Sequence, residues 1–334
     1  MSSVRFEAQE YACGENESVL ECLERHGVPM MSSCRSGACQ SCMMRATSGD
    51  PGAPAKQGLK DTLKAQNYFL ACVCRPIGDM TVARADAAGL KIRGRIIEKS
   101  LLNDRTVRLR YVPEQRPDYR AGQFLNLVGP GGDVRSYSLA SVPGVDEFLE
   151  FHIMALPGGK VSGWAMTHAK VGDESDMFGP QGACFYVAGR PEQTLVLIGT
   201  GTGLAPLWGI VRDALSQGHT GPIRLYHGAL RRASLYLVEE LRALSGRHDN
   251  FSYVPCVLHA DGEGLRGGDI QQIVLIEERT FVGKRVFLCG DPNFVRTLQR
   301  TVFKAGAGLR DILADAFLPS QAKTAGISLQ HQRL

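Results

Sequence analysis

Ten cysteines stand in a chain of 334 residues, and seven of them fall at or before Cys74. Their spacing could do chemistry. Four residues separate Cys34 from Cys39, two separate Cys39 from Cys42, and 29 more intervene before Cys72. Thiolates spaced in this way hold a [2Fe–2S] centre. The residues between them, Arg35-Ser36-Gly37-Ala38 and Gln40-Ser41, are mostly small. Small residues let backbone N–H groups approach the negatively charged sulfurs, which holds the loop and raises the potential. Four thiolates also suit tetrahedral zinc, although zinc sites usually draw their ligands as two close pairs. The fourth ligand is open between Cys72 and Cys74, which flank Val73. Cys13, Cys22, Cys184 and Cys256 have no partner pattern and read as small buried hydrophobes.

Four further runs could bind or react. Arg135-Ser136-Tyr137-Ser138 places a guanidinium, a ring and a hydroxyl in one short stretch. Gly158-Gly159-Lys160-Val161-Ser162-Gly163-Trp164 is glycine-rich and leads into a helix near Ser162, whose positive end suits phosphate. Gly199-Thr200-Gly201-Thr202-Gly203-Leu204-Ala205-Pro206 joins an apolar strand to an apolar helix, the place where α/β domains bind dinucleotides. It is neither G-x-G-x-x-G nor a Walker loop. Cys289-Gly290-Asp291-Pro292 ends a later apolar strand. No paired carboxylates and no Ser/His/Asp set present themselves, and the eight histidines are scattered.

The elements that must position these runs fall into three parts. In residues 1–86, Val4 to Ala8 alternates like a strand, Glu17 to His26 reads as a helix stopped by Gly27, and Met43–Ala46 and Met80–Ala83 read as short strands. Arg84 to Gly89 is a loose connection. In 91–188, strand-like runs at Gly94–Lys99, Thr106–Val112 and Gln123–Val128, with Gly/Pro turns, suggest a six-stranded antiparallel barrel. In 189–318, strands at Thr194–Ile198, Ile223–Tyr226, Phe251–Val257 and Arg285–Leu288 alternate with helices at Leu207–Leu215, Leu235–Leu244 and Asn293–Lys304, a doubly wound α/β pattern. Residues 319–334 form a polar tail.

Taken in order, these runs resemble the ferredoxin–NADP reductase superfamily, in its oxygenase-reductase branch. The first part resembles a β-grasp ferredoxin of the plant type, and that resemblance makes Cys72 the fourth ligand beside Cys34, Cys39 and Cys42. Arg135-Ser136-Tyr137-Ser138 resembles the R-x-Y-S motif of the flavin barrel. It implies that Arg135 pairs with the pyrophosphate, Tyr137 lies against the isoalloxazine ring and Ser138 bonds near its reacting nitrogen. Gly159, Lys160, Val161 and Ser162 would complete the diphosphate site, and Gly179-Pro180-Gln181-Gly182 resembles the turn that closes the barrel. Gly199, Thr200, Gly201, Thr202, Gly203 and Pro206 match the family's nucleotide turn. The resemblance sets Cys289, with Gly290 and Asp291, against the nicotinamide, and Phe317 over the flavin. The run Gly290-Asp291-Pro292-Asn293 departs from the usual residues after that cysteine. The ferredoxin-first order implies FAD rather than FMN.

The expected activity is therefore an NAD(P)H-dependent oxidoreductase. It takes hydride onto FAD and passes single electrons through the [2Fe–2S] cluster to an oxygenase or hydroxylase component, or to another acceptor protein. A reductase for a sugar-deoxygenation enzyme, or a redox sensor, is the alternative. NADH is favoured by the branch. NADPH is favoured by Arg231 and Arg232, which follow the second strand with no acid beside them and could take a 2′-phosphate. Composition agrees: 44% hydrophobic residues supply real cores, and a net charge of +4 gives no basic footprint for nucleic acid. No apolar run is long enough to span a membrane, and no signal layout opens the chain. The reading is cytoplasmic.

Overall fold

The computed structural model describes residues 2–30, 32, 35–37, 42–85, 90–259 and 264–317. The linker residues 86–89 and the tail lie outside them. Three sheets organise the chain.

The first sheet contains β1 (Ser3–Phe6), β2 (Gln9–Ala12), β3 (Met43–Ser48), β4 (Tyr68–Leu70) and β5 (Met80–Arg84), in the order β2-β1-β5-β3-β4. The strand expected over Val4–Ala8 stops at Phe6. Phe6 pairs with Gln9 across a two-residue turn in which Glu7 and Ala8 both take positive φ. Such turns normally carry Asn or Gly, so the local residues gave no signal for this hairpin. Helix α1 (Val19–Arg25) buries Val19, Leu20, Cys22 and Leu23 on one face. Ser18 and Glu21 close a reciprocal capping box at its start, worth about 1 kcal/mol. A second, five-residue helix, α2 (Asp61–Ala65), precedes β4.

The second sheet is the expected six-stranded antiparallel barrel. Its strands are β6 (Leu90–Leu101), β7 (Thr106–Pro113), β8 (Phe124–Val128), β9 (Val134–Ser138), β10 (Leu149–Met154) and, after helix α3 (Lys160–Thr167), β11 (Glu174–Gln181). The order is β10-β7-β6-β11-β8-β9, and a bridge between Leu139 and Phe151 brings the two ends together. Period-two alternation builds it. In β7, Val107, Leu109 and Tyr111 face the core while Arg108 and Arg110 face outward.

The third sheet is parallel, in the order β15-β14-β13-β12-β16-β17. Its chain sequence is β12 (Leu195–Thr200), α4 (Leu204–Ser216), β13 (Ile223–Ala229), α5 (Val238–Ser245), β14 (Phe251–Val257), β15 (Arg266–Gly267), α6 (Ile270–Glu278), β16 (Arg285–Gly290), α7 (Pro292–Lys304) and β17 (Ile312–Ala316). Helices cover both faces, so β12 is buried from Leu195 through Gly199, as a central parallel strand must be. The helix expected from Leu235 starts later. Leu235, Tyr236 and Leu237 are buried in an extended approach instead, and Leu237 turns left-handed before α5. Helix α6 and strand β17 had no separate expectation. The apolar run Ile273-Val274-Leu275-Ile276 is equally compatible with strand and helix by periodicity. Its helical state is fixed by Asp269, which caps the backbone N–H of Gln271.

Candidate functional site

A cleft of about 840 Å³ opens between the barrel and the parallel sheet. On the barrel side, β9 presents Arg135, Ser136, Tyr137 and Ser138 to it. Arg135 donates only to the Val134 carbonyl, and no carboxylate pairs with it among the described residues. Ser136 donates to Asn126 at 2.7 Å. Tyr137 packs beside the barrel core, and burial pushes its phenol up to about 12. Next to β9, Gly159, Lys160, Val161 and Ser162 form the start of α3. No side chain caps this helix, so its first N–H groups remain available. Ser162 is occupied locally by Leu156 and Gly159, and Lys160 pairs with Asp133 at 3.2 Å.

The facing wall is the carboxyl end of the parallel sheet. Strand β12 extends through Gly199 and Thr200, so the turn itself is a single 3₁₀ turn over Gly201–Gly203, again without a side-chain cap. The three glycines have different reasons. Gly201 holds φ +54° with open space around it, whereas a Cβ at Gly199 would meet Leu207 at 2.7 Å and one at Gly203 the Cys289 carbonyl at 2.2 Å. Thus Thr200, Gly201 and Thr202 reach the cleft, while Gly199, Gly203 and the buried Pro206 pack the strand–helix corner. Gly290, Asp291 and Phe317 also line it. Asp291 caps α7 through the N–H groups of Asn293 and Phe294, and the Phe317 N–H donates to the Gly290 carbonyl.

Cys289 sits elsewhere than expected. Its side chain is fully buried, with Sγ 3.7 Å from Cys184 Sγ, and it is absent from the cleft wall. Burial, reinforced by the neighbouring thiol, pushes it well above the ordinary range. Arg231 and Arg232 are exposed and stand outside the walls of both this cleft and an adjoining one of about 360 Å³. The second cavity shares Met154, Thr200 and Gly201 with the first, and carries Asp104 and Asp269 in its lining.

Two residues of the site had no sequence expectation. Ser138 donates to Asp315 of β17 at 2.8 Å, and burial raises this carboxyl above its usual range. The only available signal was an acid two positions before Phe317. His152 lines the cleft with its Nε2 3.0 Å from Glu150, which leaves Nδ1 buried and without a partner among the described residues. Burial would raise Glu150, but His152 and Arg110 outweigh it and bring the carboxyl down to about 2.

In the first domain, pairing of Met43 with Leu70 sets Cys42 beside Ala71, the residue before Cys72, and the Ala71 N–H donates to the Cys42 carbonyl. Both cysteines are buried. Gly37, at φ +79°, leaves room for a Cβ only 3.4 Å from Val73. Cys74 is fully buried, with its thiol on the Pro51 carbonyl. Cys34 and Cys39 lie outside the described residues.

Three family models match in sequence: a 2Fe-2S iron-sulfur cluster binding domain over residues 4–76, an oxidoreductase FAD-binding domain over 94–186 and an oxidoreductase NAD-binding domain over 197–300. The reductase component DmpP of phenol 2-monooxygenase from Pseudomonas sp. (strain CF600) is 30% identical over 318 residues, covering 91% of this chain and 90% of that protein. The chain belongs to the oxygenase-reductase branch of the ferredoxin–NADP reductase superfamily. The ferredoxin--NAD(P)(+) reductase component of a Pseudomonas putida naphthalene 1,2-dioxygenase system is likewise 30% identical, over 92% of this reductase and 95% of its own length. The crystal structure of the Amycolatopsis cytochrome P450 reductase GcoB superposes with a TM-score of 0.67 at 30% identity, covering 96% of this chain and 99% of that one.

The reductase is an NAD(P)H-dependent iron–sulfur flavoprotein oxidoreductase, with domains for a [2Fe–2S] cluster, FAD and a nicotinamide dinucleotide. Its residues fit these groups. Two helix starts without a side-chain cap and an arginine with no carboxylate partner among the described residues border one cleft, which is what a diphosphate needs. Among the described residues no helix is long and apolar enough to cross a membrane.

Proposed function

We propose that this reductase takes hydride from NADH and hands electrons singly, through its cluster, to an oxygenase or hydroxylase component. The observation that carries it is the single cleft in which Arg135–Ser138 and Gly159–Ser162 face Thr200–Thr202 and Gly290–Asp291. Arg135 and the start of α3 hold the FAD diphosphate. Tyr137 from the barrel and Phe317 from the end of β17 line the same cleft and would hold the ring there. Bound there, FAD supplies the exchange between a two-electron donor and one-electron acceptors. Ser138 and Asp315 would hold a proton beside the ring, since burial raises this carboxyl above its usual range and so favours its protonated form. Thr200, Gly201 and Thr202 would receive the dinucleotide, and Gly290 and Asp291 line the same wall and would hold its nicotinamide end. Cys289 stands behind this wall, its thiol against Cys184.

Cys34, Cys39, Cys42 and Cys72 hold the cluster. Cys72 is preferred over Cys74, whose thiol is already engaged on the Pro51 carbonyl. NADH is favoured because Arg231 and Arg232, the pair after the second strand, stand away from the walls of the adjoining cavity, which carry Asp104 and Asp269 with Arg105 as the one arginine among the described residues of the lining. A cytoplasmic setting goes with thiolates kept reduced. The experiment is steady-state reduction of a one-electron protein acceptor with each dinucleotide, in the presence of candidate oxygenase components. The reading expects NADH to be the better donor and the acceptor to be an oxygenase component. A strong NADPH preference would overturn the cofactor assignment, and coupling only to a non-oxygenase partner would overturn the acceptor.

A further inference from the structure

Among the described residues, the polar links between the cluster domain and the rest of the reductase come from one short stretch. Its residues lie between Lys60 and Gln66, on or beside α2. Lys60 Nζ donates to the Ile312 carbonyl at 2.6 Å. Asp61 accepts from Arg285 at 2.8 Å and lies 3.6 Å from Arg190. Both arginines also engage Asp311. Gln66 donates to the Gly182 carbonyl and accepts from Gln123, which is itself buried.

Two features of this set matter. First, it straddles a crease: Gln123 and Gly182 belong to the barrel, whereas Arg190, Arg285, Asp311 and Ile312 belong to the nucleotide domain. Second, it is ionic and only partly shielded. The Arg285 side chain is 4% exposed, but those of Asp61 and Arg190 are 43% and 47% exposed. A contact of this type weakens with salt, while an apolar one strengthens or stays. Arg285 would also not be orphaned by undocking, because Asp311 remains at 3.3 Å.

We propose that α2 is a releasable dock that positions the cluster domain for electron transfer within the chain, with Asp61, Arg190, Arg285 and Asp311 as its ionic latch. Asp61, Lys60 and Gln66 are positioning residues. The step they serve oxidises the flavin by one electron and reduces the cluster by one, and no bond forms between the domains. Because the dock touches both the barrel and the nucleotide domain, it fixes the cluster relative to the flavin. Because its ionic links are partly exposed, it can open to let the cluster domain meet an acceptor. The proposal rests on the electron route given above.

The test uses full-length holoprotein carrying Asp61→Asn. Mixed anaerobically with NADH, the variant is expected to bleach its flavin within about twofold of the unaltered rate, yet to reduce its cluster about tenfold or more slowly, since small misplacements cost large factors. Small-angle scattering should show a larger radius of gyration. Raising salt to about 0.5 M should expand the unaltered protein in the same way and change the variant little. An unaltered cluster-reduction rate with an unaltered radius in Asp61→Asn overturns the proposal. If the variant folds poorly, the salt series on the unaltered protein decides: a radius independent of salt overturns it. A preparation lacking the flavin or cluster band overturns the electron route instead, and the scattering readout separates the two failures.

Discussion

The flavin cleft and the cluster domain are held in opposite ways. The cleft is walled by the ends of two deep cores, the barrel cluster around Leu109, Tyr111 and Phe151 and the sheet cluster around Leu197, Leu207 and Phe287. Each fully buried side chain of this kind contributes about 1.5–3 kcal/mol to its own wall, and the two walls are tied by Arg212 on Asp146 at 2.7 Å and Ser138 on Asp315 at 2.8 Å. The cluster domain has its own core around Phe6, Leu20 and Phe69, but its described polar links to the rest come from the short stretch around α2. A site where hydride moves needs fixed walls. A domain that must serve two partners gains from a weak attachment.

If that contrast is right, the largest effect comes from disabling the exit while leaving the cleft intact. Cys42→Ser should abolish cluster absorbance and reduce electron delivery to a protein acceptor by about 100-fold or more, with flavin reduction by NADH nearly unchanged. A matching loss of flavin reduction would show that the two regions are not separable. Next comes the cleft's own proton handling. Asp315→Asn should slow turnover by about 100-fold with FAD content unchanged, in line with the usual contribution of a positioned acid or base. Turnover at the unaltered rate would remove Asp315 from the mechanism.

Stability tests follow. Glu150 is depressed from 4.5 to about 2, so its stabilisation is fully present above pH 4.5 and is lost as pH falls through about 2. The barrel should therefore lose about 3 kcal/mol across that window in acid, and Glu150→Gln should flatten the pH dependence of chemical unfolding. Gly203→Ala should cost about 1–3 kcal/mol and lower the thermal midpoint, because the new Cβ would collide with the Cys289 carbonyl. The smallest effect is expected at the exposed Arg232: Arg232→Ala should change stability by no more than about 0.5 kcal/mol, measured by thermal unfolding, and leave the preference between dinucleotides unchanged.

The parts of the fold legible in the sequence were those with strong periodicity or punctuation. The alternation of β7 and the buried run of β12 fell where the pattern placed them, while the glycine turn came two residues later because the strand runs on through Thr200. The Glu7-Ala8 hairpin did not, since ordinary residues there adopt positive φ to suit the pairing of β1 with β2. The site was legible where a motif is contiguous, as in Arg135–Ser138 and Gly159–Ser162. It was not legible where partners come from distant strands. Ser138 meets Asp315 across 177 positions, and Cys289 turns to Cys184 across 105. Only the packing of the sheet against the barrel makes those neighbours.

The central claim is that electrons pass from the dinucleotide through the flavin into the cluster of one chain. Anaerobic titration of the holoprotein with NADH, followed at the flavin and cluster bands, tests it most directly. The unaltered protein should take up one electron beyond the pair that its flavin holds, and Cys42→Ser should lack that extra equivalent. A protein whose flavin bleaches fully while its cluster stays oxidised would contradict the account.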